Sequence, residues 1–126
     1  MPAAMDNFPW MGHYGRYDFF ERAVARHSRV SSVEKEEEYL FVVETFFGQK
    51  LRVFVCDCYS FDVADYDEVM ETIEDFDVIV INSNWCGYSN AAKRAAIDQK
   101  KGLFKYGEFM GAINYRKFWE YTPPEK

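Results

Sequence analysis

The pattern of hydrophobic and polar positions is most informative between residues 77 and 113. Val78–Ile81 is an unbroken β-branched run, which is typical of a strand covered on both faces of a sheet. Polar residues follow it, and Ser89 or Asn90 is suited to cap a helix. The small face of that predicted helix consists of Ala91, Ala92, Ala95 and Ala96. The segment therefore predicts a buried strand followed by a closely packed helix.

The end of this helix and the elements after it are also marked in the sequence. Lys100 and Lys101 form a basic last turn, which complements the helix dipole. Gly102 is suited to stop the helix. A short strand is expected at Leu103–Tyr106, and a terminal helix follows that contains Glu108-Phe109-Met110.

The first half of the chain predicts a helix, a polar connection and a hairpin. Asp18 is a suitable N-cap, with Phe20, Val24 and His27 at helical spacing after it. Residues 34–38 are all charged and are expected to form a connection or the start of a strand. Beyond them the chain predicts hairpin strands at Tyr39–Phe46 and Leu51–Phe61.

An amphipathic helix is predicted at Asp65–Phe76, with Val69, Met70, Ile73 and Phe76 facing inward. Together these elements predict an α/β fold with a central mixed sheet, made of an antiparallel hairpin plus parallel strands, and helices on both faces. We expect a single domain over residues 1–126, with a core at about 17–113 and an aromatic C-terminal tail at 114–126. The predicted buried core includes Phe20, Val24, Val53, Val55, Ile73, Val80, Ala92, Ala96 and Phe109.

The charge of the chain limits where a nucleic acid could bind. A net charge of −6 argues against a protein that coats DNA indiscriminately. Every charged residue between Asp57 and Asp77 is acidic, so that segment would repel phosphate. The predicted nucleic-acid-binding residues are Lys93, Arg94, Lys100 and Lys101, and other basic residues lie in the first helix region at Arg16, Arg22, Arg26 and Arg29 and near the end at Lys105, Arg116 and Lys117. The alternative is that each charged run is the solvated face of its helix.

The chain contains no apolar run long enough to cross a bilayer, and its first residues, MPAAMDNFPW, do not have the pattern of a signal peptide. We therefore expect a cytoplasmic protein with no membrane partner. Cys56 and Cys58 are too close along one strand to bridge without strain, so reduced thiols are expected.

The order of these pieces resembles the closing half of the restriction-endonuclease-like fold, in particular the Mrr type of DNA-cleaving domain. The resemblance covers roughly residues 17–113 and concerns the order of the pieces more than any one of them. The matching pieces are residues 19–24 as the opening helix, then Val78–Ile81, Gly87-Tyr88-Ser89, Ala91–Ala96, Gly102-Leu103-Phe104 and Glu108-Phe109-Met110.

The resemblance implies a metal-dependent nuclease site on the hairpin. In that family an Asp of the first strand and an acidic residue of the second hold Mg²⁺, and a Lys two positions later orients the attacking water. Carboxylate oxygens suit this hard cation, and the metal activates water. Here Cys56-Asp57-Cys58 occupies the matching (D/E)-x-K position. A shift of one residue would make Asp57 the acid, but it would also turn the strand over.

The first strand lacks the matching Asp as well. A two-residue turn at Gly48-Gln49 would place Phe41 opposite Cys56. The candidate catalytic residues are therefore Asp57, also the candidate metal ligand, with Glu21, Glu37 or Glu38 as the second carboxylate. Mg²⁺ is expected only if the domain is catalytically active.

Two other kinds of site remain open. Cys56 and Cys58 share a strand face and could bind zinc with Cys86, His27 or His13, although buried core cysteines are the commoner arrangement. Ligands of open α/β sheets bind beyond the carboxyl ends of strands. This makes Asn82, Ser83 and Asn84 candidates for a ligand-binding turn, unless they only cap the next helix.

The sequence thus favours a nucleic-acid-associated domain, with DNA as a possible partner and an altered or lost centre for phosphodiester cleavage. The main alternative is a non-catalytic protein-interaction module that forms a homodimer. Its surface would be the aromatic residues Tyr115, Phe118, Trp119 and Tyr121. A third possibility is a small-ligand domain that uses the turn at residues 82–85, although the chain has no phosphate-cradling glycine motif.

Overall fold

The computed structural model describes residues 14–57, 60–73, 75–82 and 87–121, with side chains from Tyr17 onward. The elements are α1 (Tyr14–Ala25), β1 (Val30–Glu37), β2 (Leu40–Thr45), β3 (Lys50–Cys56), β4 (Ser60–Phe61), α2 (Val63–Thr72), β5 (Val78–Ile81), β6 (Gly87–Tyr88), α3 (Asn90–Asp98), β7 (Gly102–Lys105), α4 (Tyr106–Ala112) and a 3-10 turn (Phe118–Glu120). None of the helices in these ranges is long and apolar enough to cross a membrane.

Five strands form one mixed sheet in the order β1-β2-β3-β5-β7. The pairs β1–β2 and β2–β3 are antiparallel, whereas β3–β5 and β5–β7 are parallel. The predicted pairing of the hairpin with Val78–Ile81 is therefore confirmed. The second hairpin strand is shorter than predicted, because it ends at Cys56. Ser60–Phe61 instead pairs with β6 in a separate two-stranded sheet.

The sheet is covered by helices on both faces, as the sequence predicted. On one face α2 and α3 pack over Phe54, Ile79 and Leu103. On the other face α1, α4 and the 3-10 turn pack over Val53 and Val80 among others. All nine residues predicted for the core are buried. Because successive strand residues point to opposite faces, β3 and β5 supply side chains to both layers, which explains the unbroken hydrophobic runs at residues 53–56 and Val78–Ile81.

The register of the β2–β3 hairpin differs from the predicted one by three residues. Phe41 lies opposite Val53, not opposite Cys56. The four residues between Thr45 and Lys50 form the loop, and Gly48 adopts a φ of +83°, which glycine accepts readily. Side chains alternate between the two faces of a sheet, so a shift of an odd number of residues places Phe41 and Cys56 on opposite faces. Phe41 therefore packs under α1, while Cys56 lies in the layer under α2 and α3.

An edge strand occupies the charged segment for which the sequence left open a connection or a strand start. Among the residues that the structure describes, β1 pairs only with β2, and most of its side chains are exposed. It carries Glu34, Lys35, Glu36 and Glu37, and its register is interrupted at two places. Charges and bulges on an edge strand hinder pairing with another sheet. The low hydrophobicity of β1, which makes a strand hard to recognise from the sequence, thus fits its position at the edge.

The boundaries of three helices differ from the predictions. α1 begins at Tyr14, ahead of the predicted cap at Asp18. α2 ends at Thr72, and Met70 is 38% exposed and does not face inward. α3 ends before Lys100, which adopts a φ of +59°.

The backbone closure at the end of α3 is a Schellman motif. The N–H groups of Lys100 and Lys101 donate to the carbonyls of Ile97 and Ala96, at 2.9 Å and 2.8 Å. Gly102 is not the helix stop that the sequence predicted. It is the first residue of β7 and lies opposite Val78.

Candidate functional site

The carboxyl ends of the parallel strands bring several predicted polar residues to one edge of the sheet. Asp57 follows β3, Asn82 follows β5, and Lys105 ends β7. The Asn82 N–H donates to the Cys56 carbonyl at 2.9 Å, which joins the first two of these strand ends. Helices α2, α3 and α4 all begin on this side of the sheet, where ligands of open α/β sheets bind.

The N-termini of α2 and α3 are capped by residues that also bond to each other. Asp62 Oδ1 accepts from the Val63 N–H at 2.7 Å and from Ser89 Oγ at 2.6 Å. Ser89 Oγ in turn accepts from the Ala92 N–H at 3.1 Å. The Ser89 hydrogen bond and then the Val63 N–H hold the pKa of Asp62 below its ordinary value. Both helix ends therefore have acceptors from within the chain.

The start of α4 is linked to β6 by one carboxylate. Glu108 Oε1 accepts from the Tyr88 hydroxyl at 2.7 Å and from the Lys105 N–H at 3.0 Å. Burial, and then the hydrogen bond to Glu108, raise the pKa of Tyr88 well above its ordinary value. Tyr88 is therefore a neutral hydrogen-bond donor at physiological pH, and it stays bound to the glutamate.

Lys93 points into this cluster and not into solvent. Its Nζ donates to the Leu103 carbonyl at 2.6 Å, lies 4.0 Å from the Phe104 ring centroid and 5.5 Å from that of Tyr88. Burial lowers the pKa of Lys93 to about 8, although nearby Glu108 acts in the opposite direction. A lysine held this way stabilises the packing of α3 against β7.

The lowered pKa of Lys93 predicts a specific pH dependence of stability. The folded chain releases this proton at about pH 8, whereas the unfolded chain keeps it to about 10.5. Between those values the unfolded state binds more protons, so the free energy of unfolding should rise with pH. Lys93→Met lacks the titrating group. We expect urea unfolding to show wild-type stability rising relative to this variant from about pH 8 to about pH 10. A constant or falling difference would contradict the burial of the amine.

The four predicted nucleic-acid-binding residues do not lie on one surface. Lys101 Nζ donates to the Phe76 carbonyl at 2.6 Å and lies 4.9 Å from the Phe76 ring centroid. Lys93 and Lys101 are therefore engaged within the fold, whereas Arg94 and Lys100 are exposed. Neither exposed residue forms an ion pair with a carboxylate in the part of the chain that the structure describes.

The predicted catalytic and metal-binding residues lie on three different elements. Glu21 is on α1, Glu38 is in the turn between β1 and β2, and Asp57 follows β3. Within the described ranges, no three His, Cys, Asp or Glu side chains converge as a metal-binding group. Magnesium binding at Asp57 therefore stays a prediction.

The zinc candidates are separated as well. Cys56 is fully buried under α2 and α3. His27 accepts from the Arg29 N–H through Nδ1 at 3.0 Å, so its Nε2 is the donor to the Met110 carbonyl at 2.8 Å. That bond ties His27 to α4, on the other face of the sheet. The remaining candidates Cys58, Cys86 and His13, and the turn residues Ser83 and Asn84, lie outside the described residues.

The aromatic residues near the C-terminus do not form the exposed surface that the sequence suggested. Phe118 is buried, and Trp119 and Tyr121 are partly buried against the core under α1 and α4. Tyr115 alone among these four residues is largely exposed, at 55%.

Comparison of the chain with family models, with curated proteins and with solved structures finds no match.

The sequence interpretation overlooked Tyr88 and Glu108 as interacting groups. Glu108 stands three residues after Lys105, which is the spacing of a capping box, and that spacing could have identified its bond to the Lys105 N–H. The hydrogen bond from Tyr88 spans 20 residues and depends on how β6 and α4 pack. No local sequence pattern encodes it.

Proposed function

We propose that this chain is a nucleic-acid-associated domain of the restriction-endonuclease-like type, acting in the cytoplasm on duplex DNA, with an altered centre for metal-dependent cleavage. The observation that carries the proposal is the exposed pair Arg94 and Lys100 on and just beyond α3. Both cations lack a carboxylate partner among the described residues, although the chain has a net charge of −6. Unneutralised cations of this kind are suited to phosphate.

The arrangement of elements supports the proposal. An opening helix, an antiparallel hairpin, a parallel strand, an Ala-rich helix, a short strand and a terminal helix follow one another in the order that the resemblance implies. Support for an altered cleavage centre comes from the hairpin. Phe41 and Cys56, expected to stand opposite each other, point to opposite faces of the sheet. Substituting these two positions with carboxylates would therefore not create a shared metal site.

The experiment uses the double variant Arg94→Glu/Lys100→Glu and a labelled DNA duplex. We expect the unaltered chain to bind weakly, with an affinity that falls steeply with salt, and the double variant to lose detectable binding. Lys93 and Lys101 are left in place because both contact the fold. The same samples with Mg²⁺ or Mn²⁺ are expected to leave the duplex intact, as read on a denaturing gel.

A charge-matched control separates a local surface from the overall charge. The variant Arg26→Glu/Lys35→Glu changes the net charge equally, just after α1 and on β1, and should keep most of the duplex affinity. Circular dichroism is used to check that both variants are folded. The proposal is overturned if the α3 variant still binds the duplex, or if both variants lose binding to the same extent.

A further inference from the structure

A second cationic surface surrounds the loop between β2 and β3. The guanidinium carbons of Arg29 and Arg116 lie 5.6 Å and 5.2 Å from the centroid of the Phe47 ring. Phe46, beside it, keeps 69% of its surface exposed, the largest fraction among the exposed large hydrophobic side chains. We refer to Arg29, Phe46, Phe47 and Arg116 as the loop site.

Backbone and amide hydrogen bonds fix the parts of the loop site relative to one another. The Phe46 N–H donates to the Arg29 carbonyl at 2.9 Å, and Gln49 Nε2 donates to the Arg116 carbonyl at 2.9 Å. Inside the loop, the Thr45 N–H donates to the Gln49 carbonyl at 2.9 Å. Three segments distant in sequence are thereby joined, so the backbone positions that carry the two arginines and the two rings are held together before any ligand binds.

The positive charges of the two arginines in the loop site are not neutralised by a carboxylate among the described residues. Over the residues that the structure describes, neither Arg29 nor Arg116 forms an ion pair with a carboxylate. A guanidinium that lies over an aromatic ring is restrained by it and still has N–H groups for an anion. In a chain with 21 acidic and 15 basic residues, two such arginines over one ring are a local feature that the composition does not explain.

The chemistry of the loop site fits one ligand class. A nucleotide unit offers an anionic phosphate for the arginines and a planar base for the exposed Phe46 ring. In a duplex the bases are stacked on one another and cannot reach a protein ring without unpairing. An acidic residue of a peptide offers a carboxylate but carries no ring that could stack on Phe46. Single-stranded nucleic acid therefore uses both features of the site.

We propose that the loop site binds single-stranded DNA or RNA, with a base stacked on Phe46 and adjacent phosphates bound by Arg29 and Arg116. The inference rests on the proposed function only for the choice of nucleic acid as ligand. It concerns different residues from Arg94 and Lys100, so the two assignments can fail independently.

The test measures fluorescence anisotropy of a labelled oligodeoxythymidylate of about 12 nucleotides. Phe46→Ala should weaken binding about tenfold, and Arg29→Gln/Arg116→Gln at least as much. Matched controls are Phe19→Ala, which removes another exposed ring, 56% exposed on α1, and Arg26→Gln. Both controls should change the affinity less than about twofold. Phe46 is exposed and the arginines hold the loop through their backbone carbonyls, so all variants should fold.

Each outcome decides the assignment. Unchanged oligonucleotide binding in the loop variants, or an equal loss in the controls, overturns it. Labelled poly-L-glutamate serves as a second probe, and its tighter binding at the loop site would replace nucleic acid by acidic peptide. Loss of duplex binding only in the α3 variant, with loss of single-strand binding only in the loop variants, supports both proposals. If only the α3 variant loses duplex binding, only the duplex proposal survives. If only the loop variants lose single-strand binding, only the loop-site proposal survives.

Discussion

Replacing Phe20 by alanine should lower the free energy of unfolding by about 3–5 kcal/mol, the largest effect that we expect from a single substitution. Phe20 is fully buried. Its ring centroid lies 5.3 Å from that of Phe41 in β2, 6.0 Å from Phe109 and 6.3 Å from Tyr106 in α4. Phe20 therefore contacts both the sheet and α4 from α1. Alanine would lose these contacts and leave a cavity.

The preceding residue supplies the control for this substitution. Phe19 is 56% exposed on the same helix, and its ring centroid lies 5.7 Å from that of Tyr106. Phe19→Ala should cost no more than about 0.5 kcal/mol. Urea unfolding followed by circular dichroism measures both variants. Equal losses in the two variants would mean that α1 does not pack in the orientation described.

Gly102→Ala should destabilise the fold by about 1–3 kcal/mol. A Cβ at this position would stand 2.6 Å from Phe104 Cε2, well inside van der Waals contact. The Phe104 ring cannot move away easily, because it is fully buried and packs against Phe109 and the Lys93 ammonium. The added methyl group must therefore displace the ring or the backbone of β7.

Gly107→Ala is the matched substitution with the opposite expected sign. Gly107 lies in α4, and a Cβ there would meet no atom within 4 Å. Alanine is favoured over glycine in a helix by up to about 1 kcal/mol, so this variant should be slightly more stable than the unaltered chain. Thermal unfolding of the pair tests the packing around Phe104. A Gly102→Ala variant as stable as Gly107→Ala would show that the ring has space to move.

The central strands and the core could be predicted because their sequence pattern is strong. A strand buried on both faces needs hydrophobic residues at every position, and Val78–Ile81 meets that requirement. α3 was recognised from its capping residue Ser89 and its alanines, two of which are fully buried. In each case the local sequence and the tertiary environment demand the same residues.

The hairpin register could not be predicted, because it depends on the length of one loop. Counting Gly48-Gln49 as a two-residue turn gave an arrangement three residues away from the observed one. The sequence predicts only a connection or the start of a strand where β1 lies, because an exposed edge strand does not need hydrophobic residues. Both cases concern information that lies in the pairing of strands and not in the composition of either strand.

The candidate site was only partly predictable, because the sequence does not show whether a basic side chain is exposed to solvent or packed against the fold. Lys93 and Arg94 are adjacent in sequence, yet Lys93 covers Phe104 and Arg94 is exposed. The direction of each side chain follows from how α3 lies on the sheet. The loop site depends still more on tertiary structure, because Arg29, Phe47 and Arg116 come from three distant segments.

The left-handed backbone conformation of Lys100 creates a conflict between stability and charge. At this position of a Schellman motif glycine is preferred, because a side chain with a Cβ costs about 1–2 kcal/mol in that conformation. A chain selected only for a stable α3 would therefore acquire glycine here and lose one of the two cations that we propose to bind DNA. A chain that must bind phosphate would retain the strained lysine. The residue found at this position in variants selected for stability or for binding would reveal which requirement dominates.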